Sequence, residues 1–470
     1  MNMISASKNF KRFLVYAVTV CLLVKVLSYM TSVTRYHLGS DYFDEFFAEE
    51  ENYDVLFLGT SHMMDGVLPM ELWDDYGIAS YNLGYHGCML PLTYWVMEMA
   101  LEYTEPSLIV IDCANAEYPY KIGEYLSYAR LVLSNFPFSL TKIRAVLDLL
   151  DDDQLEQDAA ENPDLESGDM VSLLWDFAVY HSRWNDIENV DFLRDVTSTK
   201  GAELNNRVIG QDYSPLDTVG ASDDEIYEAD AVGFQYLERM LEKCREEGIE
   251  VLLINIPIDA SEEDFRISNR IKAIADEYDV NYIDFVELDV VDLATDGADY
   301  SHLNPSGARK VTDYLGQYIT KHYDTEDRRS DPTYAGWQDD YEAYLADKVA
   351  DLRDVIELDV YLMLIADDDY DVQLQISEKR FYDSDYYGLF MENLGIDLQQ
   401  AVDAAEIRIE SGDTITYSDA CTEIDYDLYI TVSDRETGEL LDSSGWDLLL
   451  DLEGEEQSVQ AEGIHEQISF

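Results

Sequence analysis

The chain has 470 residues, enough for two or three domains, and 47% of them are hydrophobic, which excludes global disorder. Its 99 acidic residues against 30 basic ones give a formal charge of −69. That excludes an extended phosphate-binding surface, so no nucleic acid is expected as a partner, and it points to a heavily solvated exterior. In chain order, the first feature is Lys8, Lys11 and Arg12, followed by FLVYAVTVCLLVKVLSYM (Phe13–Met30). This run is long enough to span a hydrocarbon core. Basic residues before it and acidic ones well after it predict a cytoplasmic N-terminus and an extracellular remainder. A cleaved signal peptide is the rival, but LSYMTSV offers no small-x-small cleavage site. Residues 1–34 therefore read as a cytoplasmic tip and single-pass cell-membrane anchor. Lys25 interrupts the run and reads as a lysine snorkelling to the outer face, with a contact to a membrane partner as the sharper alternative.

From Tyr53 onward, short continuous apolar runs alternate with helical patterns. YDVLFLG (53–59), ASYNLG (79–84), SLIVIDC (107–113), EVLLINIP (250–257) and VNYIDF (280–285) read as strands. MELWDDYG (70–77), Met89–Tyr103, Asp230–Glu247, Glu262–Tyr278 and Pro305–Tyr323 read as helices. Uninterrupted Val/Ile/Leu strands separated by helices mean a parallel sheet covered on both faces. The expected class is α/β, a three-layer sandwich with a parallel five-stranded sheet over residues 50–324. A long insertion at about 117–222 separates the third and fourth strands. It reads as mostly helical, with a solvated acidic run, DDDQLEQDAAENPD. It either covers a site at the sheet's carboxyl edge or is a plain elaboration.

Thr325–Pro332 reads as a charged linker. Beyond it, residues 335–470 read as a small β-rich or α+β module. A helix near Gln338–Leu352 is followed by DVYLMLIADD, YDVQLQIS, AEIRIESGDTITYS and DYDLYITVSD, which alternate, with turns at Ser411-Gly412 and Thr437-Gly438. A sugar-binding role and a structural or docking role are both open for it. The five cysteines, at 21, 88, 113, 244 and 421, form no CxxC pair and predict neither a disulfide framework nor a zinc site.

In an open parallel sheet, ligands bind beyond the carboxyl ends of the strands. Ser61, in VLFLGTSHMMDG, sits there after the first strand. Gly84–Gly87 follow the second, and Asn115 follows the third. A later segment, TDGADYSHLNPSGARK (295–310), carries Asp299 and His302 just before a helix with Asn304 as cap and Pro305 in its first turn. Residues three apart in such a turn project to one side. The Asp299 carboxylate would then accept Nδ1–H of His302 and leave Nε2 to face Ser61, the nucleophile–base–orienter arrangement of a serine triad. Acyl transfer also needs donors for a developing oxyanion. The Ser61 N–H, a glycine N–H from NLGYHG (82–87) and the Asn115 amide are the candidates. Each piece alone has an ordinary reading as a cap, a surface turn or a loop; their order and their common strand-end placement carry the argument.

Strand–GTS, strand–N-x-x-x-x-G, strand–Asn and a late D-x-x-H resemble the four blocks of the SGNH (GDSL-like) hydrolase superfamily, over roughly Tyr53–Tyr323 apart from the insertion. The resemblance implies an SGNH/flavodoxin-like sheet, Ser61 as nucleophile, Gly87 and Asn115 in the oxyanion hole with Ser61, and Asp299 and His302 completing the triad. GTSH in place of GDSL resembles membrane-anchored, cell-envelope members. DCANAE (112–117) lacks the usual glycine before Asn115, and Gly84 competes with Gly87. His62 reads as a pocket-lining or turn-capping residue and His86 as a loop residue. A metal site using His62, His86, Asp299 and His302 is not expected, because no pair has helical i, i+4 spacing; no cofactor is expected either. An anchored SGNH-like domain resembles D-alanyl-lipoteichoic acid biosynthesis proteins and polysaccharide O-acetyltransferases. That implies O-acyl transfer on a cell-surface glycan or teichoic-acid-like polymer, with a multi-spanning membrane acyltransferase as candidate partner. A carbohydrate esterase or lipase-like hydrolase, and an inactive SGNH-like assembly subunit, are the alternatives.

Overall fold

The computed structural model describes residues 2–35, 43–150, 199–377 and 385–465, short stretches within these excepted, and parts of 173–192. Helix α1 (Asn2–Arg35) contains Lys11–Thr31, a segment long and apolar enough to cross a membrane. A short helix, α2 (Asp44–Ala48), buries Phe46 against Tyr53 and Tyr81, with ring centroids 5.3 and 5.2 Å away. The chain then runs through β1 (Val55–Leu58), α3 (Ser61–Gly66), α4 (Pro69–Tyr76), β2 (Ser80–Asn82), α5 (Leu90–Ala100) and β3 (Leu108–Asp112). The insertion contributes α6 (Leu126–Asn135) and α7 (Leu140–Leu149). Its acidic run, 151–164, lies outside the described residues. This half closes with α8 (Val232–Glu247), β4 (Glu250–Asn255), α9 (Glu262–Tyr278), β5 (Asn281–Asp284), α10 (Leu293–Asp296) and α11 (Pro305–His322).

The five strands form one parallel sheet in the order β2-β1-β3-β4-β5. Successive residues feed two cores. Leu56, Leu58, Ile109, Ile111 and Leu253 pack with residues of α5, α8 and α9. Val55, Phe57, Leu108, Val110 and Leu252 pack with residues of α3, α4 and α11. Both faces are dry, which is why these strands read as unbroken apolar runs rather than alternating ones. Winding changes direction between β1 and β3, where a doubly wound sheet opens a crevice at its carboxyl edge.

The expected linker is less free than its composition suggests. Residues 324–331 adopt no helix or strand, yet Arg328 grips the buried Asp54 carboxylate through two hydrogen bonds of 2.7 and 2.8 Å at the foot of β1. A buried carboxylate needs such a partner, so the segment is fixed to the sheet.

Helix α12 (Ala335–Asp354) belongs to both halves: Trp337, Tyr341 and Tyr344 join the first core, and Leu352 joins the second. The DVYLMLIADD stretch, expected as a strand, instead begins with helix α13 (Leu358–Leu364). Leu358, Tyr361, Leu362 and Ile365 are buried at helical spacing, and a Leu/Met-rich run has high helix propensity, so the 3.6 period overrides the apparent alternation. Next come β6 (Tyr370–Ile376), α14 (Asp385–Asn393), β7 (Glu406–Glu410), β8 (Thr414–Ser418), β9 (Leu428–Asp434), β10 (Leu440–Leu450) and β11 (Val459–His465). They build an antiparallel six-stranded sheet, ordered β11-β10-β9-β6-β7-β8. The turn at Thr437-Gly438 joins β9 to β10, with Gly438 left-handed at φ 71°. Ser411-Gly412 lies outside the described residues.

Candidate active site

The site is assembled at the carboxyl rim of the parallel sheet. After β1 the chain turns at Gly59 and enters α3 at once. A methyl group on Gly59 would lie 2.7 Å from the Asp112 Cβ and 2.9 Å from the Met63 Cβ, so glycine is the residue that fits. Thr60 caps the helix, its hydroxyl accepting the His62 N–H. Ser61 is therefore the first residue of a helix, and its N–H has no intrahelical acceptor.

Its hydroxyl meets an imidazole. Ser61 Oγ lies 2.8 Å from His302 Nε2. His302 Nδ1 lies 2.9 and 3.0 Å from the two Asp299 carboxylate oxygens. The turn carrying both is closed by Ala298 N–H to His302 O and by the Gly297–Leu303 bridge. Asp299 also accepts the N–H groups of Ser301 and His302. Partial burial pushes the Asp299 carboxyl up, but the Ser301 N–H and the His302 ring outweigh it and hold it below the ordinary carboxylate range. Asn304 then caps α11, accepting Ser306 and Gly307 N–H while donating to the Thr295 and Gly297 carbonyls.

The other loops reach the same rim through strand register. β1 pairs with β2 and β3, matching Phe57 to Asn82 and Leu58 to Ile111. Gly84 and Gly87 therefore follow β2, and Asn115 follows β3, alongside Ser61. The two glycines differ. The Gly84 N–H donates to Asn82 Oδ1 at 2.9 Å, and a Cβ there would strike the Met64 N and the Thr60 O. Gly84 thus packs closely under α3 and its N–H is engaged. Gly87 is left-handed at φ 62° and lies against the ring of Tyr128 from α6. Asn115 is also left-handed, at φ 61°.

Around the triad stand groups with displaced titration. His62 packs edge-to-face on His302, ring centroids 5.3 Å apart. Burial, and then the neighbouring His302, push its pKa down to about 4, so it is neutral near pH 7, and its buried Nδ1 has no hydrogen-bond partner. His86 is paired with Glu203 at 3.4 Å, and the Glu203 hydrogen bond holds its pKa up.

Several residues were not foreseen from the sequence. Asp65 is one helical turn beyond Ser61 on α3, and burial pushes its carboxyl up to about 6. The i, i+4 spacing in SHMMD was the available signal. Asn205, donating to Asp65 at 3.1 Å, and Glu203 come from the returning end of the insertion. That return is clamped: the Lys200 carbonyl accepts the Asn82 N–H, and Lys200 Nζ is held by Glu45, Glu49 and Asp340 at 3.1, 2.9 and 2.6 Å. Asp112 ends β3 beneath Thr60; complete burial pushes its carboxyl up to about 7. Asn82 satisfies both ends of its amide, bonding Gly84 N–H and the Met63 and Val67 carbonyls, and so fixes α3 to the second loop.

No family model and no curated protein matches the sequence. Several solved structures are similar to it, two of them as follows. One is an acylhydrolase candidate from Bacteroides fragilis, with a TM-score of 0.29 and 12% identity, covering 59% of this chain and 94% of that one. The other is a GDSL-like lipase from Bacteroides thetaiotaomicron, with a TM-score of 0.30 and 12% identity, covering 60% of this chain and 98% of that one. The chemistry of the site therefore rests on its own residues.

Proposed function

We propose that this chain is a serine acyl-transfer enzyme held at a membrane by α1. The observation that carries the reading is the unbroken contact from Ser61 Oγ through the His302 ring to Asp299. Ser61 Oγ attacks an ester carbonyl while its proton passes to His302 Nε2. Asp299 fixes the ring tautomer and stabilises the imidazolium. The tetrahedral oxyanion is met by the Ser61 N–H, the Gly87 N–H and the Asn115 amide. His302 then protonates the leaving alkoxide, and the acyl group stays on Ser61. A second hydroxyl gives its proton to His302 and takes the acyl group, which restores the free serine. His62, neutral and desolvated, flanks the base without competing for the proton.

The acceptor we favour is a sugar hydroxyl of a cell-surface polysaccharide or teichoic-acid-like polymer, with an extracellular orientation for the domain. A multi-spanning membrane acyltransferase would supply acyl groups. What supports this is the apolar helix that precedes the domain, which would hold the site near exported polymer and raise effective concentration. Water as acceptor turns the same residues into an esterase. The test is the full chain with a soluble acetyl ester as donor, with and without an unacetylated oligosaccharide as acceptor. Ser61→Ala should abolish both hydrolysis and transfer, whereas unchanged rates would refute the proposal.

A further inference from the structure

In a chain with 99 acidic residues among 470, none lies between Glu124 and Asp148. That stretch forms α6 and α7 as far as Leu147, and its charged residues are Arg130, Lys142 and Arg144; Asp148, the next residue of α7, is held by Trp95, Tyr236 and Arg239. The inner face of α7 is buried through Thr141, Lys142, Ala145, Val146 and Leu149. Its outer face is apolar too: Leu140 is 71% exposed and Leu147 58%, with exposed Arg144 between them. Phe138, in the turn before α7, is 75% exposed. Leu140, Arg144 and Leu147 share one side at i, i+4, i+7 spacing. An apolar-and-basic outer face contrasts with the formal charge of −69 of the whole sequence.

Its position is informative. The Asn135 side chain, at the end of α6, accepts the Phe43 N–H at 3.5 Å. Phe43 comes eight residues after Arg35, where α1 ends, a gap that spans at most about 30 Å when extended. The outer end of α1 is itself packed, with Val33 only 4% exposed while Phe13 is 67% exposed. Helix α1 touches the 3-10 turn His181–Asn185 of the same insertion. The turn before α7 thus starts near Phe43, the first described residue after the spanning helix.

We infer that the α6–α7 hairpin is a monotopic docking face that lies in the bilayer interface. Phe138, Leu140 and Leu147 enter the acyl boundary, and Arg144 meets the phosphates of anionic headgroups. The occupant is lipid because the face joins apolar surface to cationic charge, follows α6, whose Asn135 bonds Phe43 shortly after the spanning helix, and has its one acid, Asp148, engaged by Trp95, Tyr236 and Arg239. This inference rests on reading α1 as an anchor. It also has a consequence for the site, since Tyr128 of α6 lies on Gly87: one hairpin touches both the membrane and the rim that holds Ser61.

The test uses the full chain in vesicles of phosphatidylglycerol and phosphatidylcholine. A photoreactive benzophenone amino acid replaces Phe138, Val20 in the spanning segment, or Ile356, which is 62% exposed on the far module. Lipid adducts are expected at positions 138 and 20 and not at 356. Adducts at 20 but not at 138 would overturn the docking face and leave the anchor standing. Absence at both would remove the anchor and this inference together. In native membranes, a protein adduct at 138 without lipid adducts would assign the face to a partner protein and overturn the lipid assignment. A Leu147→Asp chain that still reacts at Ser61 with a fluorophosphonate should lose the adduct at 138; retention of the adduct would contradict the proposal.

Discussion

Two buried carboxyl groups separate the halves of this molecule. Asp112, at the end of β3 in the parallel half, is buried with no cation beside it among the described residues, and its pKa is pushed up to about 7. Asp367, where the antiparallel half meets α11 and α12, is equally buried, but Arg309 at 3.2 Å and Lys348 at 2.8 Å overcome the burial and hold its pKa down. Lys348 also reaches Glu71 on α4 at 3.0 Å. The parallel half buries an acid beside the turn that presents Ser61, where its charge state can respond to pH. The interface buries an acid within an ion cluster that fastens the two halves. The lesson is that burial alone does not mark function; the accompanying charges decide whether an acid tunes a site or holds a joint.

The joint reaches the turn that carries Asp299 and His302. Asn393, at the end of α14, accepts from Lys310 at 2.7 Å and donates to Ser306 at 3.1 Å. Both of those residues bind the buried Asp296 carboxylate, at 2.6 and 2.8 Å. The Asp296 carbonyl accepts the Asn304 N–H just beyond His302. The antiparallel module thereby braces the segment that presents His302 without supplying a group to the chemistry.

Four substitutions sharpen this contrast, from the largest effect down. Asp299→Asn keeps the shape of the turn but lets His302 take the wrong tautomer. Ester turnover should fall by about 10⁴-fold, as in serine proteases, with an unchanged melting profile. Asp367→Ala leaves Lys348 and Arg309 without their shared partner. Denaturant unfolding should show a loss of about 3–5 kcal/mol, the cost typical of breaking a buried ion pair. Asp112→Asn acts through pH. The Asp112 carboxyl, which ionises near the ordinary aspartate value of 3.8 when unfolded, keeps its proton to about 7 when folded. Its contribution is therefore full at low pH and lost as pH rises from about 4 through about 7, at about 1.4 kcal/mol per pKa unit. Melting curves of the variant should lack that decline. Asp367 has the opposite sign: its stabilisation is present above the ordinary carboxylate range and is lost as pH falls. Asn393→Ala should be the mildest, lowering kcat about fivefold with KM unchanged, the equivalent of about one hydrogen bond. A purely structural role would lower the melting temperature and leave kcat of the folded fraction intact.

Much of the parallel half was legible because a sheet buried on both faces leaves continuous apolar runs, and because polar residues concentrate where those runs stop. Ser61, Asp299 and His302 stood out on that basis, and the fold brings them into contact. Asp65, Glu203 and Asn205 were not legible. Asp65 lies in SHMMDG, a stretch too short to show a helical period by itself, and the other two reach the site only because the insertion returns along β2, a long-range pairing that no local pattern encodes. The helix at Leu358–Leu364 was misread because a five-residue apolar run fits either period. Asp367 and Asn393 carried no signal at all, since their partners lie in α11 and α12.

The central claim is that Ser61 carries the acyl group. Rapid quench of the full chain with a p-nitrophenyl ester, followed by peptide mass spectrometry, tests it directly. The account predicts one acyl adduct, on the peptide containing Ser61, that fails to accumulate in His302→Ala. An adduct confined to another residue, or steady turnover by Ser61→Ala at the wild-type rate, would contradict it.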